Sequence, residues 1–411
     1  MEPTLGQLHY GEDRDRLAGR VGAGEVSVHL AAPVEPSTFI PFAQPHVTRL
    51  FGLTLRVAEE HGCDVIFGWY FEPYGLVAAL AGRALGRPVV IRHAGSDLGR
   101  LARHPDLGAA YAWALRAATR LVVTNESELT SRFGPVRRPR IRVLRSRLPD
   151  VFHEPAEPLD LHELLAAAPA WFRAAGLPED LVRKVEALNA KPFAEGAFTL
   201  GAYGKVGLTK GSFDLVAALS RLAADRPPFA FLTLSCGRAE TLRAYYDAIL
   251  GAPALAARTW ILPPVAPWRI PSFLRCCDAV CFLERGFPIP FHGPLVPREV
   301  FSSGACLVCS AEIAGKPAYR GNLVDERNAV VVADPKDHKA LARRIGRLIA
   351  DGERARSIGG QGQRLARFWD EELDSFDAGA RSFAAALRRL AGPRATVARA
   401  RRRPARGRSQ R

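Results

Sequence analysis

Lysine is rare in this 411-residue chain: of 57 basic residues only seven are lysines, and two of those stand five residues apart in one glycine-rich stretch. That stretch is Gly201-Ala202-Tyr203-Gly204-Lys205-Val206-Gly207-Leu208-Thr209-Lys210-Gly211. An apolar run, Phe198 to Tyr203, leads into it, and a helix-like segment, Ser212 to Ala223, leaves it. Two ammonium groups beside the start of a helix suit a diphosphate, because free backbone N–H groups and the positive end of the helix dipole add to their charge. Two solvated surface lysines would look the same, and the loop alone does not choose. It is neither a Walker A loop nor the Gly-x-Gly-x-x-Gly of dinucleotide binders.

A second stretch has the same form. Asp278 to Leu283 is a short apolar strand, a Gly- and Pro-rich loop runs from Glu284 to Pro294, and Leu295 to Ser303 is helix-like and carries Arg298 and Glu299. Gly304 suits the left-handed end of that helix, and Cys306-Leu307-Val308-Cys309 returns as a buried strand. In open α/β sheets ligands sit where strands give way to such loops. One unit of this kind is an ordinary βαβ element, whereas two together point to a ligand.

In the first half, His93 follows a strand, Pro88 to Arg92, and precedes Gly95, Ser96 and Asp97 at a strand end. It is a candidate for lining a site or for a structural histidine. Trp69, Tyr70, Glu72 and Tyr74 occupy another strand end, Asp97 being grouped with them, and either form a stacking wall for a ligand or cover the sheet edge. The covering role is the plainer expectation.

The elements that must position these residues alternate strand and helix, which predicts parallel sheets covered on both faces. Strands are expected at Val26–Leu30, Asp64–Gly68, Pro88–Arg92, Arg120–Thr124 and Ile141–Leu144. After a proline-punctuated lapse they resume at Phe198–Tyr203, Phe229–Ser235, Trp260–Leu262, Asp278–Leu283, Cys306–Cys309 and Ala329–Val332. The predicted organisation is an N-terminal Rossmann-like domain over 1–148, a junction over 149–195, and a C-terminal Rossmann-like domain over 196–370. A returning helix over 371–393 and a basic, disordered tail over 394–411 complete it.

Composition narrows the class. With 48% hydrophobic residues the chain can bury two cores. No apolar run approaches the roughly 20 residues that span a bilayer, and the N-terminus has no signal-peptide pattern, so a cytoplasmic protein is expected. The net charge of +15 does not call for nucleic acid, because +8 of it is eight arginines between Arg394 and Arg411, with no aromatic residue among them. A solvated tail, or peripheral contact with the anionic inner face of a membrane, are the two roles open to it. Of the seven cysteines, Cys276, Cys277, Cys281, Cys306 and Cys309 could be drawn as a zinc site. Yet Cys306 and Cys309, three apart in a strand, point to opposite faces, so reduced, buried thiols and no metal are expected.

Taken together, the chain resembles the retaining glycosyltransferases of the GT-B fold, the large class often labelled glycosyl transferases group 1. The residues that carry the resemblance are Gly204-Lys205, Lys210-Gly211, Pro297-Arg298-Glu299-Val300 with Gly304-Ala305-Cys306-Leu307-Val308, and Asn322-Leu323-Val324-Asp325 before Asn328. It covers about 198–368 well and about 64–144 more loosely. The resemblance implies an α/β protein of two Rossmann-like domains facing each other across a cleft, the N-terminal one on the acceptor side, where Trp69, Tyr70, Glu72, Tyr74 and Asp97 are the candidates, and the C-terminal one binding the nucleotide sugar. It implies transfer of a sugar from a nucleotide diphosphate sugar, with retention, without a metal or other cofactor, to a sugar, lipid-linked or small-molecule acceptor.

By position in the motifs, Gly204, Lys205, Lys210, His292, Gly293 and Glu299 would bind the donor, Glu299 at its ribose, and His93, Lys205 and Lys210 would be catalytic. The family's earlier glutamate, eight residues before Glu299, falls here on Phe291. Glu284, followed by Gly286-Phe287, matches that glutamate's motif only if the loop is seven residues longer, so Glu284 or His292 stands in for it. Residues 1–24 supply neither the hydrophobic strand nor the glycine-rich loop with which relatives open, so either the chain begins late or its acceptor side is built differently. Two rivals are a GT-B nucleotide-sugar epimerase and a catalytically silent GT-B subunit that binds a partner or a membrane.

Overall fold

The computed structural model describes residue 29 and residues 45–93, 95–123, 126–136, 140–142, 148–193, 196–224, 229–289, 293–372 and 385–392. The expected strand at 26–30, the expected donor-binding residue His292 and the basic tail lie outside these residues, apart from His29. Contacts divide the described chain into two units, residues up to 142 together with 385–392, and residues 148–372.

The first unit carries a four-stranded parallel sheet in sequential order: β1 (Ile66–Trp69), β2 (Val89–Arg92), β3 (Arg120–Val123) and β4 (Arg140–Arg142). The longer helices between the strands are α2 (Leu76–Leu85), α3 (Pro105–Ala117) and α4 (Glu126–Phe133), preceded by α1 (His46–Glu60). The small residues of α2 let it lie close on the sheet: a Cβ on Gly82 would come within 2.0 Å of Val89. Residues 385–391 form a helical turn whose Ala386, Leu387 and Leu390 pack with Val65, Val90 and Val122 on the opposite face. The returning segment therefore docks on the first unit's own sheet.

The second unit carries six parallel strands in the order β10-β9-β8-β5-β6-β7, where β5 is Phe198–Lys205, β6 Phe229–Cys236, β7 Thr259–Leu262, β8 Ala279–Phe282, β9 Cys306–Ser310 and β10 Val330–Val332. Chain order reverses between β5 and β8, the arrangement of a doubly wound dinucleotide-type sheet with its switch point there. Both faces are buried, one in part by helix α8 (Ala239–Leu250) and the other in part by helix α9 (Ile270–Arg275), so strands read as continuous apolar runs instead of alternating ones. β6 and β7 show it: Phe229 to Ser235 and Thr259 to Leu262 are buried throughout.

The stretch 149–195, expected as a junction, is a correction. It contains two regular helices, α5 (Leu161–Ala174) and α6 (Glu179–Asn189), that belong to the second unit's core through Phe172, Leu181, Val182 and Val185. Its prolines suggested a lapse, but Pro178 stands immediately before a helix, where a missing N–H costs nothing, and Pro169 is carried inside α5. The Asn189 side chain then closes the sheet edge: its amide donates to the carbonyl of Ile261 (2.8 Å) and accepts from the Ile261 N–H (2.9 Å). A single helix runs over Gly352–Glu372 and so takes in the first two residues of the span expected for the returning helix, 371–393.

Cys306 faces one core of the second unit and Cys309 the other, both fully buried. Burial pushes both thiols up to about 12, so they are inert apolar filling at neutral pH.

Candidate active site

The second unit opens into a crevice at the carboxyl ends of its strands. β5 pairs with β8 only at Leu200↔Ala279 and Gly201↔Val280, while on its other side it pairs with β6 as far as Lys205↔Cys236. Beyond Gly201 the two central strands have parted, and a cavity of about 360 Å³ occupies the gap. Its walls include Ala202 to Val206 from β5, Lys210 to Ser212 after it, Cys281 to Leu283 from β8, and Gly293 to Val296. Gly204, Lys205, Lys210 and Gly293, four of the expected donor-binding residues, thus line one space.

Two glycines shape the loop. Gly204 has φ +102° and open space where a Cβ would be. At Gly211, with φ +69°, a Cβ would fall 2.3 Å from the carbonyl oxygen of Leu283. Only glycine lets the Lys210 loop lie against the end of β8. That contact brings Lys210 onto Glu284, the first residue of the long loop: the Lys210 ammonium donates to Glu284 Oε2 and lies 4.4 Å from the centre of the Phe287 ring. The Glu284 carboxyl is fully buried. Burial raises its pKa, opposed by the hydrogen bond and charge of Lys210 and by the charge of Lys316.

The rest of this loop is pinned on both sides. Arg285 donates to Asp214 in the first turn of helix α7 (Ser212–Ala224), Nε at 2.6 Å and Nη2 at 3.3 Å, and His338 Nε2 lies 3.2 Å from the same carboxylate. Burial works to raise the Asp214 pKa but is outweighed by the Arg285 and His338 hydrogen bonds, so it falls. Glu312, in helix α11 (Ala311–Gly315), accepts the N–H groups of Gly286 and Phe287, the latter at 3.2 Å.

Glu299 stands in the first turn of helix α10 (Val296–Ser303), which ends at Gly304 with φ +81°, as the spacing predicts. It is not part of the cavity wall. It touches that wall through Tyr203, whose hydroxyl donates to Glu299 Oε2 at 2.6 Å. Burial raises the Glu299 pKa, partly offset by this hydrogen bond. Glu284 is the acidic neighbour of Lys210, while His292, the other residue expected to stand in for the family's earlier glutamate, lies outside the described residues.

The other expected site residues belong to the first unit. Trp69, Tyr70 and Tyr74 are exposed, and the Arg92 guanidinium stacks 3.8 Å from the centre of the Trp69 ring. Glu72 accepts from the Tyr111 hydroxyl at 3.3 Å. Asp97 and His93 are buried, being only 1% and 3% exposed. The Asp97 carboxylate is spent on backbone N–H groups, Phe71 at 2.8 Å and Leu98 at 3.1 Å, which fastens the turn after β1 to the one after β2. His93 packs beside Phe71, ring centres 6.3 Å apart.

Sequence reasoning missed Tyr203, Asp214, Glu312 and Lys316 as parts of this arrangement. One signal was available for Lys316, which is among the chain's seven lysines.

With two parallel-sheet units and a ligand-sized crevice at the switch point of the second, the described chain has the GT-B fold. Solved structures agree. The Anabaena protein HepE in complex with UDP-glucose superposes with a TM-score of 0.55 at 17% identity, over 83% of this chain and 83% of that one. Sucrose-phosphate synthase from Thermosynechococcus elongatus does so with a TM-score of 0.52 at 17% identity, over 85% and 82%. No family model matches the chain, and no curated protein does.

Proposed function

We propose that this chain is a glycosyltransferase that moves a sugar from a nucleotide diphosphate sugar to an acceptor with retention of configuration. The observation that carries the proposal is the crevice in which Gly204, Lys205, Lys210 and the start of α10 converge at the switch point. Glycosyl transfer requires stabilising the charge that develops on the departing diphosphate, and two lysines with a helix N-terminus supply that charge from fixed positions without needing a metal. Glu299, held by Tyr203 behind the crevice wall, would take the donor ribose, a role that rests on the likeness of its motif to retaining enzymes. His93 and the aromatic group Trp69, Tyr70 and Tyr74 remain the candidates for the sugar and acceptor side.

Retention rests on the likeness of the 204–211 and 297–308 motifs to retaining enzymes. Because HepE is recorded with UDP-glucose, UDP sugars are the first donors to try. A sugar, a lipid-linked sugar or another small molecule would accept. No described helix is long and apolar enough to cross a membrane, and any membrane contact would fall to the arginines after residue 393.

A thermal-shift screen against UDP, GDP, ADP and their sugars tests the reading. One nucleotide should raise the melting temperature, Lys210→Ala should abolish the rise, and the matching sugar nucleotide should be consumed in the presence of acceptor. Stabilisation without turnover against any acceptor would favour a silent subunit, and no stabilisation at all would refute the donor site.

A further inference from the structure

The geometry points to Lys316 as a positioning residue that releases Lys210 for the diphosphate; this rests on the donor site proposed above. Lys210 is not idle in the structure. Its ammonium is held by a carboxylate with no solvent exposure, Glu284, and a diphosphate entering the crevice must compete with that carboxylate for it. A buried carboxylate losing its cation is costly, so the competition would be lost if Lys210 alone balanced Glu284.

Lys316 changes that balance. Its side chain is 5% exposed, it lies 4.0 Å from Glu284 Oε1, the oxygen that does not take Lys210, and it is fixed by Glu312 at 2.9 Å. Glu312 in turn grips the backbone N–H groups of Gly286 and Phe287, so Lys316 is braced by the same loop that presents Glu284. The described charged groups facing Glu284 are thus Lys210 from the loop after β5 and Lys316 and Glu312 from the α11 segment. Arg285, next in sequence, is turned to Asp214. The chain of alternating charges Lys210–Glu284–Lys316–Glu312 leaves Glu284 with a counter-ion on one oxygen when the other is vacated. Lys316 itself does not line the crevice and acts on the ligand only through Glu284.

Titration calorimetry of the full chain with UDP, GDP and ADP tests this, using Lys316→Met, Glu284→Gln and the double variant. For whichever nucleotide binds, Lys316→Met should weaken affinity by about tenfold, the size of coupling expected between contacting charged residues. Glu284→Gln should bind as tightly as wild type or more tightly, since Lys210 is then unclaimed, and adding it to Lys316→Met should restore the lost affinity. A merely structural lysine would not be rescued by removing a carboxylate. If Lys316→Met does not fold, Glu284→Gln decides alone: weaker binding of the nucleotide in that variant overturns the inference. Wild-type affinity in Lys316→Met, or a double variant as weak as Lys316→Met, overturns it too. If the wild-type chain binds none of the three nucleotides, the donor site itself is refuted and the inference falls with it; every other adverse result sinks the inference alone.

Discussion

The contact between Gly211 and Leu283 decides where Lys210 stands, and it gives the sharpest quantitative expectation. An alanine at Gly211 would carry its Cβ 2.3 Å from the Leu283 carbonyl oxygen and 2.6 Å from the Leu283 Cβ, both far inside normal contact, at a φ of +69°. The left-handed conformation costs an alanine about 1–2 kcal/mol, and forcing the loop off β8 adds about 1–3 kcal/mol of overpacking. Gly204→Ala is the control, since its φ of +102° is also unfavourable but nothing lies within 4 Å of the added methyl. Gly211→Ala should therefore be less stable than Gly204→Ala by about 1–3 kcal/mol, the overpacking share alone. Urea unfolding followed by fluorescence reads mainly this unit, because four of the six tryptophans, Trp171, Trp260, Trp268 and Trp369, lie within it. Equal losses in the two variants would mean that the loop does not rest on Leu283, and the placement of Lys210 against Glu284 would lose its physical basis.

Tyr203→Phe removes the hydroxyl that fixes Glu299; affinity for the binding nucleoside diphosphate should fall by about tenfold, the lower end of a hydrogen bond to a charged group, while inorganic pyrophosphate, lacking a ribose, binds unchanged by calorimetry. Glu299 has a pKa raised from 4.5, so the nucleotide's advantage over pyrophosphate should fade as a titration series goes acid and should begin to fade above pH 4.5; a flat ratio to pH 4.5 would count against an ionised Glu299. Asp214 has the opposite sign. Its pKa is lowered from 3.8, so its contribution to stability is present above the ordinary carboxylate value and is lost as pH falls through the lower one. The difference in urea midpoint between wild type and Asp214→Asn should accordingly be large at pH 7 and shrink in strong acid.

Much of the second unit was legible because its signals are local. Strand, glycine loop and helix follow one another within a dozen residues around Lys205 and Lys210, so spacing alone places these lysines at the end of a strand, and a longer loop of the same form leads to Glu299 in the first turn of a helix. Gly304 as a helix stop and the opposite faces of Cys306 and Cys309 are equally local. What was not legible is made by residues far apart in the chain. Glu284 and Lys210 are separated by 74 positions and Tyr203 and Glu299 by 96, and no periodicity reports such pairs. Asp97 shows the converse. At a strand end beside His93 it has the look of a ligand contact, yet folding spends both its oxygens on backbone N–H groups. The helices within 149–195 were hidden by prolines whose positions, before a helix or within α5, proved compatible with helix.

The parting of β5 from β8 after two residue pairs has a consequence for how this sequence can change over time. The hollow is produced by where two backbones stop pairing, and much of its wall beside β5 is small residues, Ala202, Gly204 and Gly211. Its existence therefore depends on strand order and a few glycines instead of on a long list of particular side chains. Most positions in the unit can drift as long as they stay apolar and of suitable size. A chain can in this way keep a fold in common with HepE while only 17% of its residues agree, and with the rim residues free to be re-chosen for a different ligand.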